Sequence, residues 1–132
     1  MAYSDADDLN EVWGTGNVTA WATLADGDSA GTIAARKTRS ITMADAMIDA
    51  VARTAGYRIP MQTIEGGTTP TLVNNLSAVL AGVWMYEAFG AKDFDPKSGA
   101  PYHRLTFRKM ESEKLLDAIR VGQLDIDAVR GN

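Results

Sequence analysis

Apolar side chains recur at three- and four-residue steps along most of the chain, the spacing of helices with one buried face. Leu9, Val12 and Trp13 form such a face near the N-terminus and predict a short helix over 5–13. Ser4 is placed as its N-cap, because a serine oxygen accepts from an N–H two or three residues on. Asp7 and Asp8 then fall in the first turn, where backbone N–H groups lack partners. Gly14 stops the helix. Val18, Trp21 and Leu24 predict a second short helix over 17–24, capped by Asn17. Beyond the loop Asp26-Gly27-Asp28-Ser29-Ala30-Gly31, a long helix is expected over 32–54, with Ile33, Ile41, Ala44, Ile48 and Val51 on its apolar face. Lys37 joins that face through its stem. Gly56 ends it, and Tyr57-Arg58-Ile59-Pro60 cannot carry a helix into the proline.

The stretch 61–70 contains Gly66-Gly67-Thr68-Thr69-Pro70 and reads as a turn-rich loop. Pro70 suits the start of a helix over 71–89 that is apolar almost all round, as expected for the centre of a bundle. A polar loop over 91–100 precedes a last long helix over 101–121, with Tyr102, Leu105, Phe107, Met110, Leu116 and Ile119 among its apolar members. Gly122 ends it, and Leu124-Asp125-Ile126-Asp127 alternates as an extended segment does. The expected fold is therefore all-α: a small bundle of four to five helices with long loops and an extended C-terminal tail. Residues 1–121 form one helical domain and 122–132 a tail expected to meet a partner.

Composition narrows the function more than the fold. The 132 residues are 45% hydrophobic and 23% charged, which fits one globular domain. There are no cysteines and one histidine, His103, so a disulfide scaffold, a thiolate metal site, a cysteine nucleophile and a histidine cluster are excluded. A formal charge of −4 argues against a grip on nucleic acid by bulk charge. The acidic start lacks the basic and apolar regions of a signal peptide, and the most apolar window is too short and too polar to span a bilayer. The charge is segregated. Residues 1–31 carry six acids and no base, whereas 32–64 carry Arg36, Lys37, Arg39, Arg53 and Arg58 against Asp45 and Asp49. Two explanations fit: acids placed for helix N-termini, or complementary patches that dock neighbouring copies of the chain.

Candidate chemistry is sparse. Asp26, Asp28, Gly31 and Ile33 match half of a calcium loop, but Ala30 and Lys37 stand where two oxygen ligands belong, so a helix-capping turn is expected instead. Gly14-Thr15-Gly16 lacks the strand and third glycine of a dinucleotide fingerprint. Asp93-Phe94-Asp95 has no ligand partner at metal spacing. His103 reads as a surface or interface histidine rather than a general base. No serine occupies a nucleophile elbow, and no pair of groups suggests proton transfer, so no catalytic residue, cofactor or metal is expected. Arg104, Arg108 and Lys109 form a basic patch, but Glu111, Glu113 and Asp117 follow at once. Tyr102 and Phe107 read as core rather than as base-stacking platforms.

Four segments, in order, resemble the head–tail connector (adaptor, or head-completion) proteins of long-tailed and Mu-like bacteriophages. They are the opening Met1-Ala2-Tyr3-Ser4 with Asp7-Asp8-Leu9 and Trp13-Gly14; Ala44-Asp45-Ala46-Met47-Ile48-Asp49-Ala50 followed by Tyr57-Arg58-Ile59-Pro60; Pro70 and Leu72 with a core helix ending Trp84-Met85-Tyr86-Glu87; and a close from Met110 to Ile126, with Leu115, Ile119, Gly122 and Leu124. Each is weak alone; the order, and the Tyr-x-x-Pro after the Ile-Asp helix, is more specific. The segments 17–31 and 63–69 are not diagnostic, and the loop 90–100 is longer than the family pattern.

The resemblance implies a non-enzymatic structural role in the virion neck, for a protein made in the host cytoplasm. Such adaptors are similar in forming a ring of about a dozen copies beneath the portal protein. The ring extends the DNA channel and offers a platform to the stopper or tail-terminator protein. A ring needs a head-to-tail interface, and Asp5, Asp7, Asp8 and Glu11 against Arg36, Lys37 and Arg39 are candidate contacts between copies. Genomic DNA would pass without sequence-specific binding, eased by a net-acidic wall. In the tail, Leu124, Asp125, Ile126, Asp127 and Val129 are candidate partner contacts, by adding a strand to a sheet edge. Another neck or tail-completion subunit and a generic helical interaction module are the alternatives.

Overall fold

A computed structural model describes residues 2–24, 27–89 and 103–131. They form five helices: α1 (Ala6–Trp13), α2 (Thr15–Ala22), α3 (Ala30–Ala55), α4 (Thr71–Phe89) and α5 (His103–Arg120). The fold is all-α, as the periodicity predicts. The only pairing of extended backbone among the described residues is an isolated antiparallel bridge, Tyr57 with Arg130.

Helix α4 is the axis of the bundle and packs against each of the other four. Its sequence explains that place. Val73, Leu76, Val79, Leu80, Val83 and Met85 are all buried though they point in different directions round the helix, so every face needs a neighbour. Its bounds match the expected 71–89, with the Pro70 carbonyl accepting from the Asn74 N–H at 2.9 Å in the first turn.

Gly82 lets α1 come close. A Cβ there would sit 2.0 Å from Trp13 Nε1, so only glycine leaves room for the indole. That indole N–H donates to the Ala78 carbonyl at 3.2 Å. Trp21 stacks edge-on between Trp13 and Tyr86, with ring centroids 5.5 and 5.2 Å away. These aromatic contacts fix the short helices on α4, where their few turns alone would not hold.

The helix starts correct two expectations. Asp5, not Ser4, caps α1: its side chain accepts from the Asp8 N–H and the Asp8 side chain accepts from the Asp5 N–H, a reciprocal capping box. Ser4 is buried and bonds Ser77 instead. Helix α2 begins at Thr15, directly after Gly14, and the Asn17 amide donates back to the Trp13 carbonyl at 2.9 Å rather than capping. Ser29 caps α3 by accepting from the Thr32 N–H, and Gly56, at φ 90°, closes it in the left-handed conformation.

The C-terminal tail is not the extended segment expected: it turns at 121–122 and bends at 123–124 and 127–128, and it runs along its own chain rather than away from it. The Arg58 N–H donates to the Val129 carbonyl, the Val129 N–H to the Gln62 carbonyl and the Gly131 N–H to the Gly56 carbonyl, at 2.9, 3.0 and 2.9 Å. Ile126 and Ala128 are buried in the same core as the helices. No helix among the described residues is long and apolar enough to cross a membrane.

Candidate interaction surfaces

Residues from the N-terminus, α3 and α4 build a polar network beside the core. The Tyr3 hydroxyl donates to Asp49 Oδ1 at 2.5 Å and accepts from the Met61 N–H at 2.8 Å. The Tyr3 N–H donates to Asp45 Oδ2 at 3.0 Å, and Asn74 donates to the Tyr3 carbonyl and to Asp8. Ser77 donates to Asp45 Oδ1 at 2.6 Å, which leaves Ser4 as donor in the 2.6 Å Ser4–Ser77 bond. Burial pushes the Asp45 carboxyl above its ordinary range, the Ser77 and Tyr3 donors pull it part-way back, and the Asp49 charge adds to the rise. Burial, and then the bond to Asp49, drives the Tyr3 phenol up strongly. The network holds the segment before α1 against two helices and the Met61 backbone.

A second polar cluster seats the tail. The buried Tyr57 hydroxyl donates to Asp125 Oδ1 at 2.9 Å and accepts from the Ile126 N–H at 2.7 Å. The Arg130 guanidinium lies 4.1 Å from the Tyr57 ring centroid and donates to Asp125 Oδ1 and the Ala55 carbonyl, both at 2.7 Å. The Tyr57 and Arg130 bonds hold the Asp125 carboxyl below its usual range, while burial raises the Tyr57 phenol. Of the expected partner contacts in the tail, Ile126 is buried and Leu124 and Val129 are half-buried, while Asp125 and Asp127 are exposed. The backbone of Val129 is already used in both directions, so it cannot add a strand to another sheet from this position.

The segregated charges separate into used and unused. Asp5 and Asp8 cap α1. Arg36 is ion-paired with Asp28 and donates to the Ala22 carbonyl at 2.9 Å, so it locks the α2–α3 connection within one chain. The Asp28 carboxylate also accepts from the Leu24 N–H. That bears on the half calcium loop, whose Asp26 lies outside the described residues. Asp7, Glu11 and Arg39 are exposed and Lys37 is half-buried; none of the four forms an ion pair among the described residues. No cluster of three metal-ligating side chains occurs among the described residues.

Two members of the basic patch on α5 are engaged within the chain. Arg108 lies 5.2 Å from the Trp13 ring centroid, and Lys109 pairs with Glu87 at 3.0 Å. The side chains of His103 and Arg104, and the Asp93-Phe94-Asp95 motif, lie outside the described residues.

Sequence periodicity misplaced three apolar residues. Leu24, Phe107 and Met110, expected in the core, are 48, 65 and 52% exposed. Helix α5 has apolar residues on both sides, and its buried side is Leu105, Leu116 and Ile119. Spacing alone cannot tell which of two apolar faces turns inward. Conversely, the pattern missed the Tyr3 and Tyr57 hydroxyls as organising groups and gave no signal for Arg130.

No protein-family model matches this sequence. A search of curated proteins finds no match either.

Proposed function

We propose that the chain is a structural virion subunit, a head–tail connector that forms a ring beneath the portal, extends the DNA channel and carries the stopper or tail. One observation supports this reading above the others: residues of segments that resemble the connector family, far apart in sequence, bond directly to one another. Tyr3 of the opening segment reaches Asp45 and Asp49 of the second. Tyr57 of the second reaches Asp125 and Ile126, next to Leu124 of the close. The opening, second and closing segments thus have a reason to occur together, because each supplies half of a clasp.

The rest of the molecule is compatible with such a role. Asp7 and Glu11 on α1 and Lys37 and Arg39 on α3 keep opposite charges uncommitted for a neighbouring copy. A ring contact is head-to-tail and joins two different surfaces, which this distribution provides. A net charge of −4 favours passage of DNA over retention. In this reading the exposed Asp125 and Asp127 mark the edge that meets the portal, and Leu124, Ile126 and Val129 anchor that edge.

Immunogold labelling of intact particles with an antibody against the chain tests the placement. Label at the junction of head and tail is expected. Label along the tail tube, over the capsid, or absent from particles contradicts the reading.

A further inference from the structure

The surface carries two features of unlike shape. The first is a cavity of about 230 Å³ between α2, α3 and α4, walled by Trp21, Leu24, Trp84 and Met85 and edged by Arg36 and Arg39. It is smaller than the ~300–1,000 Å³ of small-molecule sites and suits inserted side chains rather than a cofactor. Its floor is indole and alkyl surface, while the Arg39 guanidinium is exposed at the edge. Met43 and Met47, 40 and 49% exposed, extend the same face of α3 by one and two turns.

The second feature is the outer face of α5. Phe107 and Met110 stand one turn apart and largely exposed, with the exposed Glu111 a full turn from Phe107 on the same side. On α4, Trp84, Met85 and Ala88 face the cavity, whereas Glu87 pairs with Lys109 of α5. Phe107 is 65% exposed and does not line the cavity of its own copy.

We propose that Phe107 and Met110 of one copy insert into the Trp21–Trp84 cavity of the next, with Glu111 paired to Arg39 across the contact. The inference rests on the ring reading, since it names the surfaces by which copies meet. Charge complementarity selects a second copy as the occupant: the knob carries the Glu111 carboxylate, and the socket carries the Arg39 guanidinium, which forms no ion pair among the described residues. An aromatic anchor in an apolar pocket with a charged rim is the usual make-up of an interface hot spot. Because knob and socket are different surfaces, every contact leaves one of each open. Association then continues until a ring closes or a filament grows.

The chain has no cysteine, so cross-linking can be directed without background. The full chain carrying both Leu24→Cys and Lys114→Cys, the latter exposed on the Phe107 face of α5 with the anchor left in place, treated with a short bis-maleimide, is expected to give a ladder of trimers and higher species. Each single variant should stop at dimers. In parallel, Phe107→Asp, at a site exposed enough to leave the fold intact by circular dichroism, should weaken self-association at least tenfold by sedimentation. Glu111→Arg with Arg39→Glu should restore what each alone loses. If wild-type chains form rings on an isolated portal while no ladder appears and Phe107→Asp assembles normally, this interface is overturned and the ring reading stands. If wild-type chains associate neither in solution nor on the portal, both fall.

Discussion

The Tyr57 hydroxyl accepts the Ile126 N–H at 2.7 Å, joining residues 69 positions apart at a buried point. This one oxygen also donates to Asp125 and accepts from Arg130, so it sets the register of the whole tail against residues 56–62. Tyr57→Phe keeps the ring and deletes the oxygen. The Ile126 N–H is then buried without an acceptor, a cost of about 1–3 kcal/mol. Hydrogen exchange at Ile126 and Val129 is expected to accelerate while α4 amides stay protected. Unchanged exchange in the tail would show that the hydroxyl does not hold it.

Tyr3→Phe makes the equivalent test at the N-terminus. It strands the Met61 N–H and removes the donor to Asp49. A loss of about 1–3 kcal/mol in chemical denaturation is expected. A neutral result would mean that water replaces the phenol at no cost.

Gly82→Ala should destabilise by about 1–3 kcal/mol or more through overpacking, although alanine is the better helix former. The added methyl meets the Trp13 indole. The sign should reverse in a Trp13→Ala background, where the space is empty and Gly82→Ala gains roughly 0.5–1 kcal/mol of helix propensity. Thermal melts of the four proteins in this cycle decide it. A loss that persists without the indole would contradict the packing account.

Asp45 and Asp125 should move stability in opposite directions with pH. The folded state raises the Asp45 carboxyl above 3.8, mainly by burial. Its contribution is therefore full below 3.8 and fades as pH rises through the folded value. Against a constant offset for the changed hydrogen bonds, Asp45→Asn should gain on the wild type over that rise and then level off. Asp125 is lowered from 3.8 by Tyr57 and Arg130, so its contribution is present above 3.8 and is lost as pH falls through the folded value. Urea midpoints across a pH series read both, and a pH-independent difference for Asp45→Asn would refute its raised carboxyl.

Much of the fold was legible in the sequence because it depends on local periodicity. The helix α4 was placed to the residue, since its apolar run starts at a proline and has no competing reading. The Ser4 cap failed for a non-local reason. Its hydroxyl had two uses, and the winning partner, Ser77, lies 73 positions away. Asp45 and Asp49 entered the sequence reading only as the two acids of a basic stretch, and nothing local shows that both accept bonds from Tyr3, more than 40 positions away. The tail's alternation was visible, but not that residues 56–62 of the same chain would receive it. Phe107 and Met110 were apolar at helical spacing, and only the packing of α5 shows that they face outward.

Mass photometry of the 14.2 kDa chain mixed with isolated portal rings tests the central claim most directly. The account predicts one portal-bound species heavier by about a dozen copies of the chain, with few partial rings, because a closing head-to-tail interface favours completion. A portal mass that does not change at any concentration of added chain would contradict it.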